Sequence, residues 1–367
     1  MTKAVYIHIP FCKTICSYCD FCKRFYDEEK VDKYLDALEK EIELNYKGEL
    51  VETLYIGGGT PSSLSMDNLK KLFSIIKIFN LDNLKEFTFE CNMNDIEKEK
   101  CLFLYQNKVN RISIGIETID KNLLKILNRE HDKESIVSKI NLLKDIGFTN
   151  INVDLMYAIP NENIDILRKD LEFILSLNVT HISTYSLIIE PNTNLYIKNA
   201  KEIEENIDYN MYNIICSILE ENNYNHYEIS NFCKEGYESK HNLTYWNNNE
   251  YYGFGLGSTG YINNKRYTNT RSLNNYINGQ YVLEENIESI NVQMENELML
   301  GLRKIEGVNK DKFFKKYNRK IEDVFDINEL LNKKYLIDNG TNIYINKKYL
   351  YVENSILTNF IGGAKDE

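Results

Sequence analysis

Short apolar runs alternate with longer stretches of helical period through the first two-thirds of the chain. The runs lie at about 4–9, 52–56, 86–92, 110–117, 150–157 and 180–188. Between them apolar residues recur at i, i+3, i+4 and i+7, as in Val31, Tyr34, Leu35, Leu38 and Ile42. Strand–helix units in succession predict a parallel sheet with crossover helices on its outer face. Strands buried on both faces would read as continuous apolar runs, but these alternate. Val5, Ile7 and Ile9 oppose Tyr6 and His8; Phe87, Phe89 and Cys91 oppose Thr88, Glu90 and Asn92. Ile112, Ile114 and Ile116 oppose Arg111, Ser113 and Glu117, and Ile151, Val153 and Leu155 oppose Asn152 and Asp154. His181, Ser183 and Tyr185 share a face of the last run. Side chains alternate with period two, so one face packs on helices and the other is polar. A curved sheet whose concave face lines a polar cavity fits this pattern.

The pattern changes further along. Residues 190–290 are less regular and rich in Asn and Tyr, with a helix near 201–222. From about 291 a helical pattern is followed by short strands such as TNIYINKKYLYV. This predicts three units: 1–235, an extension over 236–290, and a small α+β domain over 291–367.

At 367 residues and 43% hydrophobic, the chain builds a substantial core. No apolar run approaches the ~18–20 residues that cross a bilayer, and MTKAVYIHIPFC lacks the features of a cleaved leader. A cytoplasmic location is expected, with peripheral membrane association left open. The net charge of −11 argues against nucleic acid as a partner.

Four of the eight cysteines (Cys12, Cys16, Cys19 and Cys22) crowd a loop after the first strand, spaced C-x3-C-x2-C-x2-C. Cys91, Cys101, Cys216 and Cys233 are scattered and read as small buried residues. Thiolates so spaced grip an iron–sulfur cube, whereas structural zinc pairs two separated knuckles. Reactive or structural thiols are the bland alternative.

With Tyr18 before the third cysteine, this loop resembles the signature of the radical S-adenosylmethionine (SAM) superfamily. The resemblance implies a [4Fe–4S] cluster on Cys12, Cys16 and Cys19, one iron being left for the amino and carboxylate groups of SAM. Reductive cleavage of SAM to a 5′-deoxyadenosyl radical is the cofactor's chemistry. Gly57, Gly58, Gly59 and Thr60, after the second strand, match the superfamily's glycine motif, which binds the methionine amino group. Glycines there also let backbone approach a ligand closely.

The resemblance narrows to the coproporphyrinogen oxidase and HemW branch and covers nearly the whole chain. It rests on YIHIPFC, YCDF, GGGTPS, the stretch from Arg111 to Glu117, Asn128-Arg129, VDLMYAIP, His181-x-Ser183-x-Tyr185, Tyr227-Glu228-x-x-Asn231, HNLTYW from His241, and Gly301-Leu302-Arg303. It implies an α/β fold, an open parallel (β/α)6 partial TIM-type barrel with a small C-terminal winged-helix-like domain. It also implies SAM contacts from Glu90, Glu117, Arg129 and Asp154, with Tyr6 and Tyr18 near the cluster. The oxidases carry an N-terminal extension and place a fourth cysteine where Phe21 stands. YCDF and HNxxYW are HemW-like. The implied function is a heme chaperone that binds heme, with His241 beside it, and delivers it to acceptor (respiratory) proteins. Alternatives are an oxygen-independent coproporphyrinogen III oxidase and a radical SAM methyltransferase. Whether Cys22 takes part and whether the chain forms a homodimer stay open. Glu117 replaces the family's usual Gln, and Ser258-Thr259 replaces its Ala-His.

Overall fold

The computed structural model describes residues 3–364; the first two positions of the first predicted unit and the last three of the third lie outside them. Six strands run side by side and parallel, in chain order: β1 (Lys3–Ile9), β2 (Val51–Gly58), β3 (Glu86–Asn92), β4 (Arg111–Glu117), β5 (Asn150–Tyr157) and β6 (His181–Ser186). Helices α1 (Glu28–Asn45), α2 (Met66–Ile76), α3 (Lys98–Gln106), α4 (Lys121–Leu127), α5 (Lys133–Ile146) and α6 (Ile164–Ser176) lie in the connections. The α1 residues Val31, Tyr34, Leu35, Leu38 and Ile42 are all buried. They meet the odd-numbered face of β1, where Val5, Ile7 and Ile9 belong to the same core.

The sheet is larger and more mixed than the apolar runs predict. After helix α7 (Glu205–Glu221) comes a hairpin of β7 (Asn225–Glu228) and β8 (Asn231–Cys233), of which β8 pairs antiparallel with β6 and β7 forms the edge. At the other edge β9 (Tyr251–Phe254) pairs parallel with β1, and β10 (Thr259–Ile262), β11 (Lys265–Asn269) and β12 (Val282–Ile287) follow antiparallel. Among the described residues this makes one twelve-stranded sheet in the order β12-β11-β10-β9-β1-β2-β3-β4-β5-β6-β8-β7. Residues 251–287 thus extend the sheet that the first unit begins.

Helix α8 (Lys240–Trp246) stops one end of the polar face. Glu86 accepts hydrogen bonds from the backbone N–H groups of Lys240 and His241 (2.8 and 3.0 Å). A carboxylate at a helix N-terminus satisfies donors the helix itself cannot. Thr53, paired with Glu86 across β2 and β3, bonds the His241 ring. The plug therefore sits where the strands begin, opposite the cysteine loop.

Past residue 290 a separate three-stranded antiparallel sheet (Val308–Asn309, Asn342–Ile345, Leu336–Asp338) packs with helices Ile290–Gly301 and Lys310–Tyr317. Within 341–352, where short strands are predicted, the structure has one, Asn342–Ile345. Asn346 caps the backbone of Lys348, and 347–352 turns into a 3₁₀ helix. No described helix is long and apolar enough to cross a membrane.

Candidate functional site

At the end of the sheet where the parallel strands finish, a cavity of about 430 Å³ opens. Cys12, Cys16 and Cys19 line it together with Tyr18, Gly58, Gly59, Thr60, Glu90, Glu117, Arg129 and Asp154. Strands and loop thus bring together residues far apart in the chain. Cys22 does not line the cavity. It is buried, and its carbonyl accepts from His8 Nε2 at 2.7 Å.

The loop is held from below. Helix α4 ends at Asn128 in the left-handed conformation, φ 57°, which Asn tolerates better than most residues. Its amide donates to Ile15 O (2.8 Å), and Ser17 N donates to Leu127 O (2.9 Å). The next residue, Arg129, then enters the cavity. Asn128-Arg129 is therefore one clamp and one cation. Cys12 Sγ accepts from the Thr60 hydroxyl at 3.4 Å. Burial pushes the Cys12 thiol up to about 11, the Thr60 bond opposing it.

Arg129 donates to both oxygens of Glu117, through Nε at 2.8 Å and Nη2 at 2.6 Å. Tyr18 donates to the same carboxylate at 3.0 Å. Glu117 reaches it from a bulge in β4, with φ 60°. The guanidinium that the resemblance counts among the SAM contacts is thus held by a carboxylate of its own chain. Burial works against the Arg129 cation, and Glu117 beside it more than compensates.

Glu90 accepts from Tyr55 (2.6 Å) and from Gly58 N (2.9 Å). Burial raises its pKa against those two bonds. Asp154 is raised to about 7, by burial first and by the Glu117 charge next. Its partner Asn152 donates at 2.8 Å both to Asp154 and to Ser113. The amide oxygen of Asn152 accepts from His181 Nδ1 at 2.6 Å, so His181 Nε2 is the acceptor for Tyr227 at 2.8 Å. Alternation had placed Asn152 and His181 on the polar face without singling them out; the signal was their even–odd position.

Two expectations change. The glycines do not simply make room for a ligand. A Cβ on Gly57 would stand 2.7 Å from the Glu90 carboxyl, and one on Gly58 2.5 Å from the His8 ring. Gly58 also has φ 116°, and Gly57 does not line the cavity. The close approach is the chain's own. His241 presents no free ring nitrogen: Nδ1 bonds Thr53 (2.9 Å) and Nε2 bonds Tyr245 (2.7 Å). It is 1% exposed, and burial lowers its pKa to about 3. With Tyr6, which bonds His8 at 3.0 Å, it borders an adjoining space of about 220 Å³.

The model of the radical SAM superfamily matches residues 6–174. Heme chaperone HemW of Lactococcus lactis subsp. lactis (strain IL1403) is 38% identical over 98% of this chain and 97% of its own. The HemW of Bacillus subtilis (strain 168) is also 38% identical, over 98% and 99%. This chain belongs to the HemW family of the radical SAM superfamily. The solved coproporphyrinogen III oxidase (HemN) of Escherichia coli, a radical SAM enzyme, superposes with a TM-score of 0.87 at 20% identity, covering 98% of this chain and 89% of that one. This chain and that oxidase share a fold: an α/β partial barrel on a mixed sheet.

Proposed function

We propose that this protein is a heme chaperone that carries a [4Fe–4S] cluster on Cys12, Cys16 and Cys19, binds SAM beside it, and passes heme to acceptor proteins. The observation that carries the reading is the convergence of those three thiols, and not Cys22, on a cavity floored by the polar strand faces. The donor set fits a cube. Among the described residues no three Cys, His, Asp or Glu side chains close around a single metal ion.

When bound, such a cluster supplies an electron for cleaving the sulfonium of SAM. The protein's own tasks are positional. Thr60 steadies the Cys12 sulfur, while Glu90 and Asp154 offer carboxyl oxygens to amino or ribose donors, and Tyr18 fixes Glu117. At the mouth Phe21 and Ile188 are 63% exposed and Tyr185 43%, an apolar rim past which a flat macrocycle would enter. HemW relatives at 38% identity over full length favour the chaperone over the oxidase. We read the six parallel strands as the (β/α)6 part and residues 291–364 as the winged-helix-like domain.

Anaerobic reconstitution with iron and sulfide tests the reading. Cubane absorption lost in Cys12→Ala, Cys16→Ala and Cys19→Ala but kept in Cys22→Ala, with heme bound and released to an apo-acceptor, is expected. Vinyl product from coproporphyrinogen at useful turnover would replace the chaperone with the oxidase.

A further inference from the structure

Arg111 opens β4 at the end of the sheet that α8 stops, and its side chain lines the cavity. It is 2% exposed. Its Nε is buried without a hydrogen-bond partner, and among the described residues no ion pair engages its guanidinium. Of the nearby carboxylates Glu90 feels the Arg111 charge, but its hydrogen bonds go to Tyr55 and Gly58, that of Asp154 to Asn152 and those of Glu86 to the start of α8. Arginine cannot shed its proton inside a protein, and an unpaired buried charge is costly. Something anionic completes this site.

Arg111 and Glu117 are the first and last residues of the same strand. At ~3.3 Å per residue they lie about 20 Å apart along it. The cysteine loop is at the Glu117 end, so a carboxylate held against the cluster does not serve Arg111. The free guanidinium faces a second ligand. We propose that Arg111 is the receptor for a carboxylate arm of the molecule that fills the cavity beyond the thiol loop, which on the reading above is a propionate of heme. A guanidinium meets a carboxylate in a two-pronged, charge-assisted contact.

The test uses the reconstituted protein, heme, and heme dimethyl ester, which keeps the macrocycle and lacks the carboxylates. The unaltered protein binds heme about ten- to a hundredfold tighter than the diester. Arg111→Met erases that preference by weakening heme binding alone, and Arg111→Lys retains part of it. Thermal unfolding of the ligand-free Arg111→Met variant comes at the same or a higher temperature, because an unpaired charge has been removed; an arginine with a purely structural task would lower it. Heme affinity unchanged in Arg111→Met, or a large loss of its stability, overturns the assignment while leaving the chaperone reading intact. If the unaltered protein binds neither heme nor diester, both fall together.

Discussion

Glu117 holds Arg129 in a two-pronged ion pair, with 8% and 10% of the two side chains exposed. Where the resemblance leads one to expect Gln, this chain has a full negative charge on the cation that should greet SAM. Glu117→Gln keeps a hydrogen-bond acceptor and releases the guanidinium. The variant should bind SAM about tenfold tighter in equilibrium dialysis. It should also unfold more easily by about 1–3 kcal/mol, as a buried pair loses one partner.

Asp154 carries a pH signature. Its folded pKa, raised to about 7, exceeds the ordinary value near ~4. A carboxyl raised on folding contributes most at acid pH, and that contribution fades as pH climbs toward 7. Between pH 5 and pH 8 the wild type should therefore lose about 2–3 kcal/mol more stability than Asp154→Asn. Denaturant titrations of the two proteins at both pH values measure the difference. Equal losses would show that the carboxyl is not raised.

His241 should behave as a buried bracket. His241→Ala abandons Thr53 and Tyr245 and opens a cavity beneath α8, costing about 2–4 kcal/mol. The heme spectrum of the folded fraction, compared with wild type, should not move, because neither ring nitrogen is free to meet iron. A spectral change typical of a lost axial ligand would reverse this.

Gly58→Ala should be worse than Gly48→Ala, although both glycines have positive φ. Nothing lies within 4 Å of a Cβ at Gly48, whereas at Gly58 the His8 ring is 2.5 Å away. Strain alone costs about 1 kcal/mol, and the clash adds about 1–3 kcal/mol. Thermal unfolding of the two variants gives the comparison.

The parallel strands and their polar face were legible because alternation is local. Val5 against Tyr6, or Ile114 against Ser113, needs no knowledge of the rest of the molecule. The cysteine loop was legible from its spacing. Less visible were features made by distant partners. Tyr251–Phe254 is short and carries no period that distinguishes it, yet it pairs with β1 some 245 residues earlier, Tyr252 meeting Val5. Asn128 and Arg129 were recognisable as a pair, but not that one residue clamps the loop while the other is already bound by Glu117. His241 was ambiguous for a similar reason. A histidine beside Tyr245 and Trp246 reads equally as a heme-side residue or a hydrogen-bonded core residue, and Thr53, 188 positions away on its ring, favours the second.

The stopper that α8 forms against Thr53 and Glu86 imposes a sequence of events. A molecule seated at Arg111 lies beneath anything parked by the thiols, like the first plate in a stack. If its way in leads past the thiols, it enters before the nucleotide and leaves after it. Release of the deeper molecule would then wait on departure of the nucleotide, which takes the part of a latch.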